Sequence, residues 1–323
     1  MANCISCGRE LRTSLFGGRG NVCPECRSNA IDIQSPGSVE TPAPRRIVAS
    51  ARPPVTTTLV GANVAVFVVM LFSGVPLTNP NTAQLLSWGA NWGPLSLGPQ
   101  PWRILTSNYL HIGIIHIALN MWCLWSLGQL AERIFDRWTY FLTYTACGIG
   151  GSLASLWWHP MVMGAGASGA IFGLAGALIS ALYLGRLPIP KEALRGTMRS
   201  LLTFAGYNLF FGAVGAGIDN SAHIGGLITG LALGAVLARH LTDAPEIRSR
   251  WNGGVFVVMA VILFVAFNFL RRAKGNIPQL PPGDTTWSIP STQHSALSRG
   301  TIVFLLHRQQ PQALQRRVLE LST

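Results

Sequence analysis

From about residue 57 the chain alternates long apolar stretches with short polar connections, and each stretch is near the roughly 20 residues a helix needs to cross a ~30 Å hydrocarbon core. Seven spans are predicted, over 57–75, 114–133, 138–158, 166–185, 199–217, 220–239 and 253–270. A long connection rich in Pro and Gly joins the first two, with Trp88, Trp92 and Trp102 spaced through it. Tryptophans favour the headgroup level, so this connection is expected to lie in the interface. Ahead of the spans, the first thirty residues are polar and carry four cysteines, which is not the pattern of a secretory signal. The pattern therefore predicts an N-terminal domain over 1–30, a linker over 31–56 with Pro36, Pro42, Pro44, Pro53 and Pro54, and a six-helix core over 57–240. A seventh transmembrane helix over 253–270 and a mostly disordered tail over 275–323 follow.

Composition supports a membrane setting. The 323 residues are 49% hydrophobic and only 11% charged, where a soluble domain carries about a quarter of its residues as charges. A cytosolic enzyme is excluded, and the expectation is an all-α polytopic integral membrane protein. The 35 glycines suit closely packed membrane helices.

Sorted by position, the net charge of +12 becomes a topology signal. Sixteen Lys and Arg fall in the N-terminal region and in the connections after the second, fourth and sixth spans, against Arg103 alone in the opposite connections. That asymmetry predicts a cytoplasmic N-terminus. The seventh span conflicts with it, because the tail beyond holds seven basic residues beginning with Arg271, Arg272 and Lys274. Either the six-helix core fixes the topology and the last span follows, or the last segment does not cross; crossing is the favoured reading.

Cys4 and Cys7 form one C-x-x-C pair and Cys23 and Cys26 another, fifteen residues apart. This spacing fits a tetrahedral Cys4 zinc site built from two knuckles. On the cytoplasmic side thiolates stay reduced, which favours structural Zn2+ over disulfides. A domain this short needs the metal in order to fold. Cys123 and Cys147 lie in helices and read as packing residues.

Polar groups within the spans are costly, so each is a functional candidate. The second span offers His111, His116 and Asn120, the fourth Ser168, and the sixth His223. Taken singly, the serine is most often a packing residue in a Gly/Ala-rich helix. By parity, however, spans two, four and six all start on the side opposite the N-terminus. His116, Asn120, Ser168 and His223 each lie within about two turns of those starts, in one shallow layer. A hydroxyl nucleophile, an imidazole base and oxyanion donors at one depth suit acyl transfer. Apart from Asp219 at the start of the sixth span, no Asp or Glu lies in the outward half of any span, and no H-E-x-x-H is present, so aspartyl and zinc proteolysis are disfavoured.

These residues occur in a recognisable order. Trp102-Arg103, His111-x4-His116-x3-Asn120, Gly166-Ala167-Ser168-Gly169-Ala170-Ile171-Phe172-Gly173 and Asp219-Asn220-x-Ala222-His223-x2-Gly226-x3-Gly230 resemble the successive signatures of the rhomboid intramembrane serine proteases, over roughly residues 58–240. The resemblance implies a rhomboid-like six-helix core with Ser168 as nucleophile and His223 as general base. It also implies an oxyanion hole from His116, Asn120 and the Ser168 N–H, with Phe172 set against the histidine. Gly166 and Gly169 are expected to leave room for a substrate backbone, and Gly226 and Gly230 to let the sixth helix approach the fourth. Arg103 and Glu132 are expected to be structural, while His111 either lines the outer mouth or is structural.

The implied function is a serine endopeptidase that cleaves transmembrane segments of other membrane proteins near the outer face of the bilayer. Catalysis needs no cofactor, the partners are transmembrane substrates and lipid, and no nucleic acid partner is expected. The alternative is a proteolytically silent rhomboid-like protein that binds and escorts membrane clients. Intact Ser168, His223, His116 and Asn120 favour the enzyme. A transporter is a third reading, disfavoured because the helices turn apolar below the polar layer.

Overall fold

A computed structural model describes residues 2–3, 10–11, 53–214 and 218–275, in two units, 1–51 and 52–323. In the first unit, β1 (Ala2–Asn3) and β2 (Glu10–Leu11) pair antiparallel, Ala2 opposite Leu11 and Asn3 opposite Glu10. Cys4, Cys7, Cys23 and Cys26, most of the expected linker and all but the first residue of the expected tail lie outside the described residues.

The named elements of the second unit are all helices. Helix α1 (Pro54–Phe72) starts ahead of position 57, because Pro54 sits in the first turn, where a missing N–H costs nothing. The Glu132 carboxylate fixes this start by accepting from the Thr56 N–H at 2.7 Å and its hydroxyl at 3.0 Å. A negative charge at a helix N-terminus is stabilising, which gives Glu132 its structural role.

Three short helices occupy the first connection: α2 (Thr82–Ser87), α3 (Gly93–Ser96) and α4 (Arg103–Thr106). The long helices α5 (Ile114–Ile134), α6 (Arg137–Trp158), α7 (Ser168–Leu184), α8 (Lys191–Val214), α9 (Asn220–Leu237) and α10 (Pro245–Ala273) follow.

With α1, these make a long helix at each of the seven predicted spans. Among the described residues four stretches are long and apolar enough to cross a membrane: Pro54–Phe72, Ile114–Ile134, Asn220–His240 and Pro245–Ala273. Helix α7 is apolar but shorter, at 17 residues. Helix α8 opens on exposed Lys191, Glu192, Arg195 and Arg199, so its apolar part is confined to its second half.

Helix α7 is the centre of the bundle, packed by α5, α6 and α9, with Ala170, Leu174, Ala177 and Leu178 inaccessible. Its contact with α9 is a ladder of small residues. A Cβ added at Gly226 would strike the Gly169 carbonyl, one at Gly230 the Gly173 carbonyl, and one at Gly234 the Ala177 carbonyl. The four-residue step keeps all three on one helix face, so the two backbones touch along their length.

The first connection braces the site from the other side. Asn91 and Gly164 exchange two backbone hydrogen bonds of 2.8 Å, and the Gly93 and Gly166 N–H groups donate to the Pro160 and Ser107 carbonyls at 2.8 and 2.9 Å. The segment leading into α7 is thereby held by residues 91–107. Arg103 holds this connection together: its guanidinium donates to the Leu86 carbonyl at 2.6 Å, the Ala90 carbonyl at 3.0 Å and Gln100 at 2.6 Å, and it lies over the Trp102 ring. Burial lowers its pKa to about 10, which leaves it cationic at neutral pH.

Arg103→Ala strands the Ala90 carbonyl and leaves the Leu86 carbonyl with only the Gly89 N–H, and it is expected to cost about 1–3 kcal/mol, read as a lowered thermal midpoint of the purified protein. Lysine, a compact donor without the planar fork, should recover only part of it.

Helix α10 runs parallel to α6. At one end the Asn252 amide donates to the Thr139 hydroxyl at 2.9 Å, and at the other Phe269 stacks on Trp157 at 6.0 Å. The seventh helix is therefore a full-length neighbour of the third.

Candidate active site

Ser168 is the first residue of α7, and the N–H groups of a first helical turn have no intrahelical acceptor. His223 lies one turn into α9, behind the N-cap residue Asp219. That carboxylate accepts from the Ser221 and Ala222 N–H groups at 3.1 and 3.3 Å and also from the Ser221 hydroxyl. The cap fixes where α9 begins, and the glycine ladder fixes how closely it approaches α7. Together they bring His223 Nε2 to 2.9 Å from Ser168 Oγ.

The imidazole is 8% exposed and lies flat on Phe172, with ring centroids 4.3 Å apart and 11° between planes. Phe204 of α8 also packs on Phe172, with ring centroids 5.5 Å apart. Face-to-face packing opposes rotation of the imidazole about its Cβ–Cγ bond, which keeps Nε2 directed at the hydroxyl. An aromatic ring thus stands where serine hydrolases with a full triad use a third carboxylate to position the histidine.

His116 faces the same space from α5. Its Nδ1 accepts the Ile112 N–H at 3.2 Å, which places the ring proton on Nε2 and makes that atom a donor. Gly166 takes φ +141°, and a Cβ built there would lie 3.0 Å from His116 Nε2 and 3.7 Å from Ser168 Oγ. The missing side chain therefore leaves open the point between hydroxyl and donor, where a carbonyl carbon and its oxygen can sit. Asn120, one turn along α5, spends one amide N–H on the His116 carbonyl at 2.9 Å and has a second to offer.

The Rhomboid domain model matches residues 98–240, the stretch from the first connection to the end of α9. The chain is 35% identical to "Rhomboid protease GluP" of Bacillus subtilis (strain 168), over 68% of this chain and 41% of that protein. It is 32% identical to "RHOMBOID-like protein 6, mitochondrial" of Arabidopsis thaliana over 65% of this chain and 81% of that protein. With "Rhomboid protease AarA" of Providencia stuartii it shares 31% identity, over 64% of this chain and 80% of that protein. The chain belongs to the rhomboid family. It is an integral membrane protein with the all-α rhomboid fold, and it spans about two-fifths of the length of the Bacillus relative.

Of the residues singled out in the sequence, this rhomboid fold gathers Ser168, His223, Phe172, Gly166 and His116 at one point, with Asn120 a turn away. Gly169 is placed differently from the expectation. It is turned into the helix contacts, where a Cβ would meet the Ala222 carbonyl at 3.3 Å, so it serves packing, and the opening beside Ser168 lies at Gly166. His111 is fully buried with its ring 5.2 Å from that of His116, which excludes it from the outer mouth and makes it a structural support. Cys147 is a free thiol buried against Gly173, and Cys123 is free and partly buried.

Residue-type reasoning missed three contributors. Phe204 backs Phe172, Ser107 holds Gly166 through a backbone carbonyl, and Asn91 pairs with Gly164. Only Phe204 acts through a distinctive side chain, and it sits among several aromatics of α8. The other two act through backbone groups that every residue type carries.

Proposed function

We propose that this chain is an intramembrane serine endopeptidase acting on transmembrane segments of other proteins. The observation that carries the reading is the Ser168–His223 contact of 2.9 Å on the Phe172 ring, facing the His116 donor across the space left by Gly166.

In the first step His223 Nε2 takes the Ser168 proton as Oγ bonds to the scissile carbonyl carbon. The carbonyl π pair moves onto oxygen, where His116 Nε2–H, the free Asn120 N–H and the Ser168 backbone N–H can receive it. The protonated imidazole then donates to the leaving amine as the C–N bond breaks. Water, deprotonated by the same nitrogen, releases the acyl group and restores the serine. Removing the His116 donor (His116→Ala) is expected to lower kcat about 10²–10³-fold, measured on a reconstituted substrate.

The length of α7 supports a site within the bilayer. Seventeen residues rise about 26 Å, less than a ~30 Å hydrocarbon core, so a helix reaching one face starts below the other. The basic-residue asymmetry orients that submerged start toward the outer leaflet, with the N-terminus cytoplasmic. The parallel course of α10 and α6 then brings Lys274 out on the active-site face.

The direct test is cleavage of a tagged single-span substrate in proteoliposomes. A cut at a bond within or bordering the span supports the proposal; cutting confined to soluble loops, or none across a panel of spans with Gly or Pro near their outer ends, counts against it. For the N-terminal segment, the cysteine spacing favours a structural Zn2+ on Cys4, Cys7, Cys23 and Cys26. Metal analysis of the reduced full-length protein should give about one zinc per chain, lost when Cys4 and Cys7 are replaced by serine.

A further inference from the structure

Helices α6 and α10 touch at both ends and part between them. From Thr139 to Trp157 on one helix and Asn252 to Phe269 on the other they keep step, but between these contacts lies a groove of about 380 Å³. Its walls include Leu142, Ile149 and Leu153 of α6 and Met259, Ala260 and Phe267 of α10, and Ile104 and Leu105 of α4 contribute to the lining. Leu153 also lines a second hollow of about 240 Å³, bordered by Trp157, Trp158 and Phe269, so the apolar path continues toward the C-terminal end of both helices.

That end is where the chain turns basic. Arg271 and Arg272 are exposed on the last turn of α10, and Lys274 Nζ lies 5.2 Å from the centre of the Trp157 ring. Trp157 and Trp158 are 42% and 55% exposed. Interfacial tryptophans mark headgroup depth, and clustered Lys and Arg at that depth recognise anionic lipid.

We propose that this groove holds an acyl chain of a phospholipid whose anionic headgroup sits on Arg271, Arg272 and Lys274. Charge and shape select this occupant over a partner helix. A helix 10–12 Å across would fill about 380 Å³ in less than one turn, whereas a flexible hydrocarbon chain follows a narrow groove, and the basic cluster stands at its end. The site also gives a reason for three cations on the face that charge asymmetry otherwise leaves almost bare.

The test is electron spin resonance of chain-labelled lipids with the full-length protein in phosphatidylcholine vesicles, comparing labelled phosphatidylglycerol with labelled phosphatidylcholine. Wild type should hold the anionic probe preferentially by at least about fivefold, the effect of one basic residue at an anionic surface. The surface variant R271Q/R272Q/K274Q should bring the ratio close to one. Ala260→Trp, which fills the groove from its lipid side, should reduce the motionally restricted fraction of both probes. Equal retention of the two lipids by wild type, a preference that survives in the triple variant, or an unchanged restricted fraction in Ala260→Trp would each overturn the proposal.

Discussion

His223→Ala is expected to lower turnover of a reconstituted transmembrane substrate by about 10⁴-fold or more, and Ser168→Ala by at least as much. Nε2 is the group placed to receive the serine proton, at 2.9 Å, and among the described residues no other imidazole hydrogen-bonds the hydroxyl. His116 faces the same space, but its Nδ1 accepts a backbone N–H and its Nε2 therefore carries a proton, so it cannot replace His223 as base. Because nucleophile and base act in one step, the double variant should be no slower than the slower single one. Residual cleavage shared by all three variants measures what donors and positioning contribute alone. If His223→Ala retained most of the wild-type rate, the assignment of the base would fail.

The second large effect is expected at a residue with no side chain, in the packing between two helices. At Gly226→Val the new Cβ would overlap the Gly169 carbonyl, a backbone group that cannot swing aside as a flexible side chain can. Helix α9 must then move away from α7, carrying His223 with it. Overpacking of this kind costs about 1–3 kcal/mol in stability, but a displacement near 1 Å costs about 10²-fold in rate, so activity should fall much further than the thermal midpoint. Gly196→Ala on α8 is the control, since its Cβ would meet nothing within 4 Å; activity should stay unchanged and the midpoint should hold or rise slightly. A folded Gly226→Val protein with wild-type turnover would show that the ladder does not set the dyad distance.

Much of this arrangement was legible in the sequence, because membrane helices obey a simple length rule and tolerate few polar residues. The seven long helices and the meeting of Ser168 with His223 followed from those constraints and from ordered motifs. Less legible was anything decided by contact between backbones. Gly169 and Gly166 look alike in the string, yet one is wedged between helices and the other takes a left-handed φ beside Ser168. Helix boundaries shifted where polar turns extend a span, as at the exposed start of α8 and the polar first turns of α10. The position of the seventh helix depended on Asn252 meeting Thr139, a pairing between residues 113 apart that no local pattern announces.

The central claim is that His223 activates Ser168 as a nucleophile inside a membrane-embedded site. Its most direct test is labelling by a fluorophosphonate probe, followed by mass spectrometry of the modified peptide. The account predicts a single stoichiometric adduct on Ser168, formed in wild type in membranes, slowed at least about 10²-fold in His223→Ala, and matched by loss of substrate cleavage as labelling proceeds. Cleavage that continues while Ser168 is fully modified, or an adduct on Ser168 formed as fast without His223, would contradict it.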